Sequence, residues 1–160
     1  MRIKIVRVDE ESNILKDEEI EIALAEKGDI EEIISVLKRS FSSFENPEGT
    51  KKLLLLSKTL VAKAHGRIVG TVSYTNLKCI NGKVTEMPHY KKNKKFLIFG
   101  LAVLPEYRNR GIATILVREA ERYMRREKAQ GYFGNADTEE IAQWWVSMFG
   151  VKLMRLAPKR

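Results

Sequence analysis

Residues 96–104, FLIFGLAVL, form the longest apolar run of the chain and constrain its fold most strongly. The run is well short of the ~20 apolar residues that a membrane-spanning helix needs. A run of this length is typical of a strand that is buried on both faces. Gly100 interrupts it, which indicates a β-bulge or the close approach of a ligand or another backbone.

Strand and helix patterns alternate along the rest of the chain. Period-two alternation predicts strands, and apolar residues gathered on one helical face predict helices. The strands are expected at 2–8, 19–25, 59–65, 68–76, within 131–136 and at 151–157, and the helices at 30–41, from Pro47, at about 110–129 and from 138 to 148. This order of elements predicts a mixed α/β domain.

Short-range signals define the connections between these elements. Asp29 and Asp137 each precede a helical pattern and are expected as N-caps. Residues 11–19 are expected to form a polar connection. Residues 77–95 lose all periodicity and are expected to form an excursion from the sheet, with a small hairpin about the Asn-Gly pair at 81–82.

The composition limits the kinds of site that the chain can hold. With one cysteine, Cys79, and two distant histidines, an internal disulfide and a CxxC zinc site are excluded, and no metal site is expected. The formal net charge of +8 favours anionic partners such as phosphorylated cofactors or nucleic acid, and a solvating surface explains it equally well. Lacking a signal-peptide core, the protein is expected in the cytoplasm, with no membrane partner.

The helix after the apolar strand begins in a segment with the wrong charge for a bare helix end. Residues 105–114, PEYRNRGIAT, place Arg108 and Arg110 where unpaired N–H groups and the helix dipole are already positive. A bound anion reverses the sign of this interaction, and helix starts bind phosphate well. Gly111 lets the backbone approach such a ligand without a side chain in the way. The segment therefore predicts a phosphate site.

This phosphate site resembles the motif of one family. Neither the Walker A pattern nor the GxGxxG fingerprint is present. Residues 101–117, LAVLPEYRNRGIATILV, resemble motif A of the GCN5-related N-acetyltransferases (GNAT), whose signature Gln/Arg-x-x-Gly-x-Gly/Ala corresponds to residues 108–113. Residues 19–34, 60–74 and 136–153 also resemble the family, so the likeness covers roughly 19–157.

The resemblance implies a fold, a cofactor and the residues that bind it. The fold is α/β, a mixed and mostly antiparallel sheet with splayed central parallel strands flanked by helices. Residues 1–18 would form an extra strand and connection, followed by a single acetyltransferase domain at 19–160. The cofactor is acetyl-CoA, with its pantetheine arm along the central strand and its pyrophosphate on the helix start. The implied contacts are Leu101, Ala102, Val103, Arg108, Asn109, Arg110, Gly111, Ile112, Ala113 and Thr114, with Asn135 as either a contact or a turn residue.

The residues that would move protons are less well defined. Val146 stands where many family members place a closing-helix tyrosine, and the central strand contains no acidic residue. Asp137, Glu86 and His89 are the candidates for proton handling, although an N-cap role for Asp137 and solvated loop positions for the other two are simpler interpretations. Direct attack in a ternary complex, with water carrying the proton, needs no dedicated base.

The function implied is transfer of an acetyl group from acetyl-CoA to a primary amine, which could be a protein N-terminus, a lysine or a small molecule. The fold does not choose among these acceptors. One alternative is a basic nucleic-acid-binding module, because the lysines of residues 91–95 lie beside Tyr90, which could stack on a base. The other is a noncatalytic acetyl-CoA sensor, because the closing-helix tyrosine is absent. The strand at 2–8 and the excursion at 77–95 are the candidates for shaping the choice of acceptor or a homodimer interface.

Overall fold

The computed structural model describes residues 1–8, 14–41 and 47–153. The strands are β1 (Arg2–Val8), β2 (Ile14–Leu24), β3 (Lys58–Ala64), β4 (Arg67–Thr75), β5 (Leu77–Ile80), β6 (Lys83–Glu86), β7 (Lys95–Val103) and β8 (Gly131–Phe133). The helices are α1 (Ile30–Ser40), α2 (Pro47–Leu55), α3 (Pro88–Asn93), α4 (Ile112–Arg126) and α5 (Glu139–Phe149), with 3-10 turns at Lys27–Asp29 and Pro105–Tyr107.

Six of the strands form one sheet in the order β1-β2-β3-β4-β7-β8, and β5 and β6 form a separate hairpin. Every neighbouring pair in the main sheet is antiparallel except β7 and β8, which are parallel. The predicted mixed, mostly antiparallel sheet is therefore confirmed. No helix in the described ranges is long and apolar enough to cross a membrane.

The main sheet is covered by α4 on one face and by α1 on the other. A Cβ built on Gly70 of β4 would lie 3.2 Å from Leu116 and 3.3 Å from Ile112, so the α4 face of the sheet admits only glycine there without a shift. On the opposite face, Gly100 of β7 lies against Leu37 of α1. These contacts place the apolar stripes of both helices, predicted from their period, against the central strands.

The central strand β7 is bulged and then left without its parallel neighbour. Gly100 has φ +65°, and the β4–β7 register shifts between Thr71 and Ser73, so the predicted bulge is confirmed. The pairing with β8 ends at Leu97–Phe133, whereas β7 continues to Val103. This early end is the expected splaying of the parallel strands. Leu97 and the three consecutive residues 99–101 are only half-buried, so burial of the whole strand on both faces was predicted too generally.

Several local predictions were wrong for identifiable reasons. The expected polar connection is strand from Ile14 onward, because β2 pairs with β1 through a long register that overrides its polar composition. Asp29 occupies the predicted N-cap position of α1, but its side chain does not cap that helix and instead closes the preceding 3-10 turn, its carboxylate accepting the Glu26 N–H at 2.9 Å. Thr138, not Asp137, caps α5 and accepts the Ile141 N–H at 3.1 Å.

Two further elements differ from expectation, and one prediction is not tested. Helix α3 was not expected, because its lysines obscure any apolar stripe, although Pro88 at its first turn is a typical start. Of the strand expected at 151–157, residues 151–153 carry no strand and the rest lie outside the described residues. The division of the chain after residue 18 stays a prediction.

Gly134 is predicted to be required for the close backbone contact with β7 at the point where β8 ends. A Cβ there would lie 2.7 Å from the Ile98 carbonyl oxygen, which is backbone and cannot yield cheaply. We expect Gly134→Ala to lower the free energy of unfolding by about 1–3 kcal/mol, measured by urea denaturation. Gly28→Ala is the matched control, because a Cβ at Gly28 meets nothing within 4 Å. Equal stability of the two variants would contradict this close approach.

Candidate functional site

An open cleft begins where β8 parts from β7. Gly134 still lies against the Ile98 carbonyl oxygen, and beyond this contact β8 has ended. In the described part of the chain, no strand pairs with this edge of β7 from Phe99 to Val103. The predicted residues Leu101, Ala102 and Val103 all lie on this stretch. Their backbone can therefore accept an extended ligand almost as an added strand.

The start of α4 lies at the end of this cleft and is built to receive an anion. Gly111 is the N-cap, with φ +81°, and no side chain of the described residues caps the helix. The first turn contains no acidic residue. Asn109 also has a positive φ of 61°, so the chain turns sharply twice before the helix begins. The free N–H groups and the helix dipole make this a favourable phosphate site.

The two arginines of the turn are bound to backbone carbonyls of the same segment. The Arg108 Nε donates to the Val103 oxygen at 2.9 Å, which ties the turn to the end of β7. The Arg110 Nη2 donates to the Glu106 oxygen at 2.9 Å, and its guanidinium lies 4.9 Å from the Tyr107 ring centroid. The arginines therefore brace the loop as well as adding positive charge, a role that their charge alone did not predict.

An ion pair connects this loop to α1. The Arg39 Nη2 lies 2.9 Å from Glu106 Oε1 and 3.2 Å from Oε2. The pKa of Glu106 is lowered, first by its own backbone N–H and then by the hydrogen bond from Arg39. Both partners are about half exposed, so the pair positions the loop more than it stabilises the fold.

One candidate for proton handling, His89, lies on the face opposite α4. Phe133 pairs with Leu97, and Leu97 pairs with Thr75, so these three side chains share one face of the sheet. Ser73, two residues before Thr75, lies on the same face, and its hydroxyl lies near Gly100 under α1. The His89 ring lies 4.4 Å from the Phe133 ring, centroid to centroid. Helix α3 therefore reaches the end of β8 on the α1 face, beside the mouth of the cleft.

The other predicted residues are spread along the same region. Glu86 ends β6 and is exposed, three residues before His89. Asn135 and Asp137 are exposed in the connection between β8 and α5. The structure thus brings His89 to the end of β8 and does not join Asp137 to it by any hydrogen bond or ion pair among the described residues. Their catalytic roles stay predictions.

Buried hydroxyl groups near the bulge were not expected from the sequence. Thr59 and Ser73 share a 2.7 Å hydrogen bond, and Ser73 pairs with Phe99, next to the bulge. Thr71 is fully buried opposite Ala102, and its hydroxyl has no partner among the described residues. The signal was available, since Ser and Thr occupy alternate positions of β4 that a purely structural strand would fill with apolar residues.

No tyrosine of the sheet replaces the missing closing-helix acid. The Tyr74 hydroxyl donates to Glu127 at 2.8 Å and the Tyr132 hydroxyl to Glu121 at 3.1 Å, both at α4. Burial raises the pKa of each phenol, and the hydrogen-bonded carboxylate raises it further. Both phenols stay protonated at neutral pH and are held to α4 by these hydrogen bonds. In the described residues, no group of three or more His, Cys, Asp or Glu could hold a metal.

The sequence of this region also matches the sequence model of a protein family. The sequence model for the acetyltransferase (GNAT) family matches residues 30–143, which include β7, the cleft and α4. The chain belongs to the GNAT acetyltransferase family. None of the curated protein sequences matches it significantly. The family resemblance seen in residues 101–117 is therefore confirmed.

Solved structures share the fold of this GNAT chain. An aminoglycoside N-acetyltransferase, AAC(6')-Iy, in complex with CoA has a TM-score of 0.68 at 18% identity, covering 92% of this chain and 98% of that one. A GNAT acetyltransferase from Brucella melitensis in complex with acetyl-CoA has a TM-score of 0.62 at 21% identity, covering 88% and 90%. At these identities the likeness establishes the fold alone.

The Glu106 carboxylate, which forms the ion pair between α1 and the loop, is predicted to titrate at a lowered pKa. Because the folded pKa of Glu106 is depressed, the pair is complete at neutral pH and is lost only as the pH falls through that lowered pKa. In an NMR titration we expect Arg39→Gln to raise the pKa of Glu106, though not to its ordinary value, because its backbone N–H still favours the carboxylate. An unchanged pKa in the variant would show that Arg39 does not hold Glu106 in solution.

Proposed function

We propose that this GNAT protein transfers the acetyl group of acetyl-CoA to a primary amine by direct attack in a ternary complex. The observation that carries the proposal is the junction of an unpaired β7 edge with an uncapped, acid-free start of α4. One ligand that is both extended and pyrophosphate-bearing fits this junction, and coenzyme A is such a ligand. The CoA and acetyl-CoA complexes of proteins with the same fold support this choice.

In this proposal, the backbone of β7 and of the loop does most of the binding. The pantetheine arm lies along Leu101, Ala102 and Val103, and the pyrophosphate receives N–H groups from the segment 108–114, which includes Asn109, Ile112, Ala113 and Thr114. Asn135, just past the end of β8, borders the thioester end of the cleft. Backbone N–H groups near the bulge would stabilise the oxyanion that forms as the amine attacks.

The acceptor would reach the thioester from the α1 and α3 face. The pyrophosphate site belongs to α4, on the other side of the sheet, so donor and acceptor enter through opposite faces of one cleft. This arrangement lets both bind at once, as direct transfer requires. The amine attacks the thioester carbonyl, the C–S bond breaks, and the amine proton leaves through water to reach the thiolate or solvent.

Gly111→Glu is predicted to abolish acetyl-CoA binding without unfolding the protein. The new carboxylate would repel the pyrophosphate, and we expect the dissociation constant by calorimetry to rise more than about 100-fold. Gly66→Glu is the matched control, because Gly66 has φ +76° against +81° for Gly111 and a Cβ at either meets nothing within 4 Å. Full acetyl-CoA affinity in Gly111→Glu would show that the phosphate site lies elsewhere.

If water carries the proton, none of the three candidate residues is predicted to be indispensable for catalysis. We expect His89→Gln, Glu86→Gln and Asp137→Asn each to lower kcat less than about tenfold, whereas loss of a true general base costs about 10²–10⁴. The value of kcat/KM should rise with pH toward the pKa of the acceptor amine, ~10.4 for a lysine-like group. A loss above 100-fold in His89→Gln, with a flattened pH profile, would instead identify His89 as the base.

A further inference from the structure

The excursion between β4 and β7 concentrates positive charge. Residues 77–95 contain six lysines and one glutamate, a net charge of +5, against +8 for all 160 residues. Five of these lysines are exposed and Lys78 is half-exposed. The lysines are Lys78, Lys83, Lys91, Lys92, Lys94 and Lys95.

This basic excursion is fixed to the body of the protein. The Met87 N–H donates to the Asn76 oxygen at 2.8 Å, which closes its base. The Tyr90 ring lies 5.0 Å from the Phe96 ring, and the His89 ring lies 4.4 Å from Phe133. Phe133 is the last residue of β8 and lies beside the cleft, whereas Phe96 lies on the α4 face, so α3 crosses the end of the β7–β8 pair. Its lysines, Lys91 and Lys92, follow His89 beside the mouth of the cleft.

The positive charge of the excursion is not neutralised locally. Within the described ranges, none of its lysines forms an ion pair with a carboxylate. Lys94 lies 4.8 Å from the Tyr90 ring centroid, a contact that leaves its charge in place. Six cations without anionic partners create a positive potential that attracts anions and repels cations.

The acidic residues of this region are fewer than the lysines. Asp137, Glu139 and Glu140 lie at the start of α5. The ring contact of Trp145 with Tyr132 and the contact of Arg118 with Phe149 hold α5 on the α4 side. With Glu86, the acidic residue of the excursion itself, these are four carboxylates against six lysines, so the region keeps a net positive charge.

From this placement, we infer that the acceptor is an amine that carries carboxylates or phosphates close to the reacting nitrogen. The inference rests on the proposed acetyltransferase function and narrows its substrate class. The lysines attract the anionic groups and orient the amine toward the thioester, whereas a polycationic amine meets repulsion at the same surface. An acidic peptide and a phosphorylated amino sugar share the required chemistry.

The test compares acceptors that differ only in charge. Three peptides with the same N-terminal residue and acidic, neutral or basic flanks, glucosamine 6-phosphate against glucosamine, and spermidine are each assayed with acetyl-CoA. We expect kcat/KM for the anionic member of each set to exceed that of its neutral counterpart about tenfold at low ionic strength. The advantage should shrink toward unity in about 0.5 M salt, where the screening length is a few ångströms.

Charge-reversal variants locate the effect. Lys91→Glu and Lys92→Glu are each compared with Lys27→Glu, which changes the charge equally on an exposed 3-10 turn before α1. The α3 variants should lower kcat/KM for the acidic peptide at least about threefold and raise it for the basic one, with acetyl-CoA affinity unchanged. Lys27→Glu should shift neither. Equal effects of all three would reduce the preference to net charge and overturn the inference.

A binding measurement separates this inference from the proposed function. The acidic and basic peptides, with their N-termini already acetylated, are titrated into the CoA-loaded protein by fluorescence anisotropy. Tighter binding of the acidic peptide supports the inference, and equal or tighter binding of the basic peptide overturns it, whichever acceptors react. Acetylation of spermidine in preference to every anionic amine would overturn it while upholding the acetyltransferase. Oligonucleotide binding that is lost in Lys91→Glu and Lys92→Glu, with equal binding of the acidic and basic peptides, would assign the lysines to nucleic acid and overturn it too.

Discussion

The site depends on one incomplete interaction, the parallel pairing of β7 with β8. Three residue pairs hold these strands together, and the pairing stops at Leu97–Phe133 while β7 continues to Val103. Gly134 allows the last close contact, and the bulge at Gly100 turns the remaining strand. A fully paired β8 would satisfy the β7 backbone and leave nothing for a ligand to bind. At this side of the described sheet, strand pairing is given up and a cleft lined by main-chain groups is gained.

The two faces of the sheet carry different electrostatic environments around this cleft. On the α4 face, the helix start offers N–H groups, and Arg108 and Arg110 stabilise the loop by donating to the backbone carbonyls of Val103 and Glu106. On the α1 face, the basic excursion approaches the end of β8 through His89 and Phe133. A donor held by one face and an acceptor steered by the other would meet between the strands. The fold separates the two binding problems, so the acceptor surface can vary while the donor site is kept.

Much of this architecture could be predicted from the sequence, because its signals are local. The apolar run with Gly100, the helix periodicity of α4 and the turn residues at 105–114 each report on their own segment. The errors arose where distant partners decide. Residues 14–18 look like a connection, and only pairing with β1 makes them strand. Asp29 is a different case, because a local partner, the Glu26 N–H of the neighbouring 3-10 turn, takes its carboxylate. The contact of His89 with Phe133 joins segments 44 positions apart in sequence, which no local pattern encodes.

The most direct test of the account is amide hydrogen exchange, with and without acetyl-CoA. The account predicts new protection in two stretches, the β7 edge at 101–103 and the loop at 108–114, because both would donate N–H groups to one ligand. The hairpin of β5 and β6 should exchange as before. Protection confined to 77–95, or no change at the β7 edge, would contradict the claim that the parting of β7 and β8 forms the donor site.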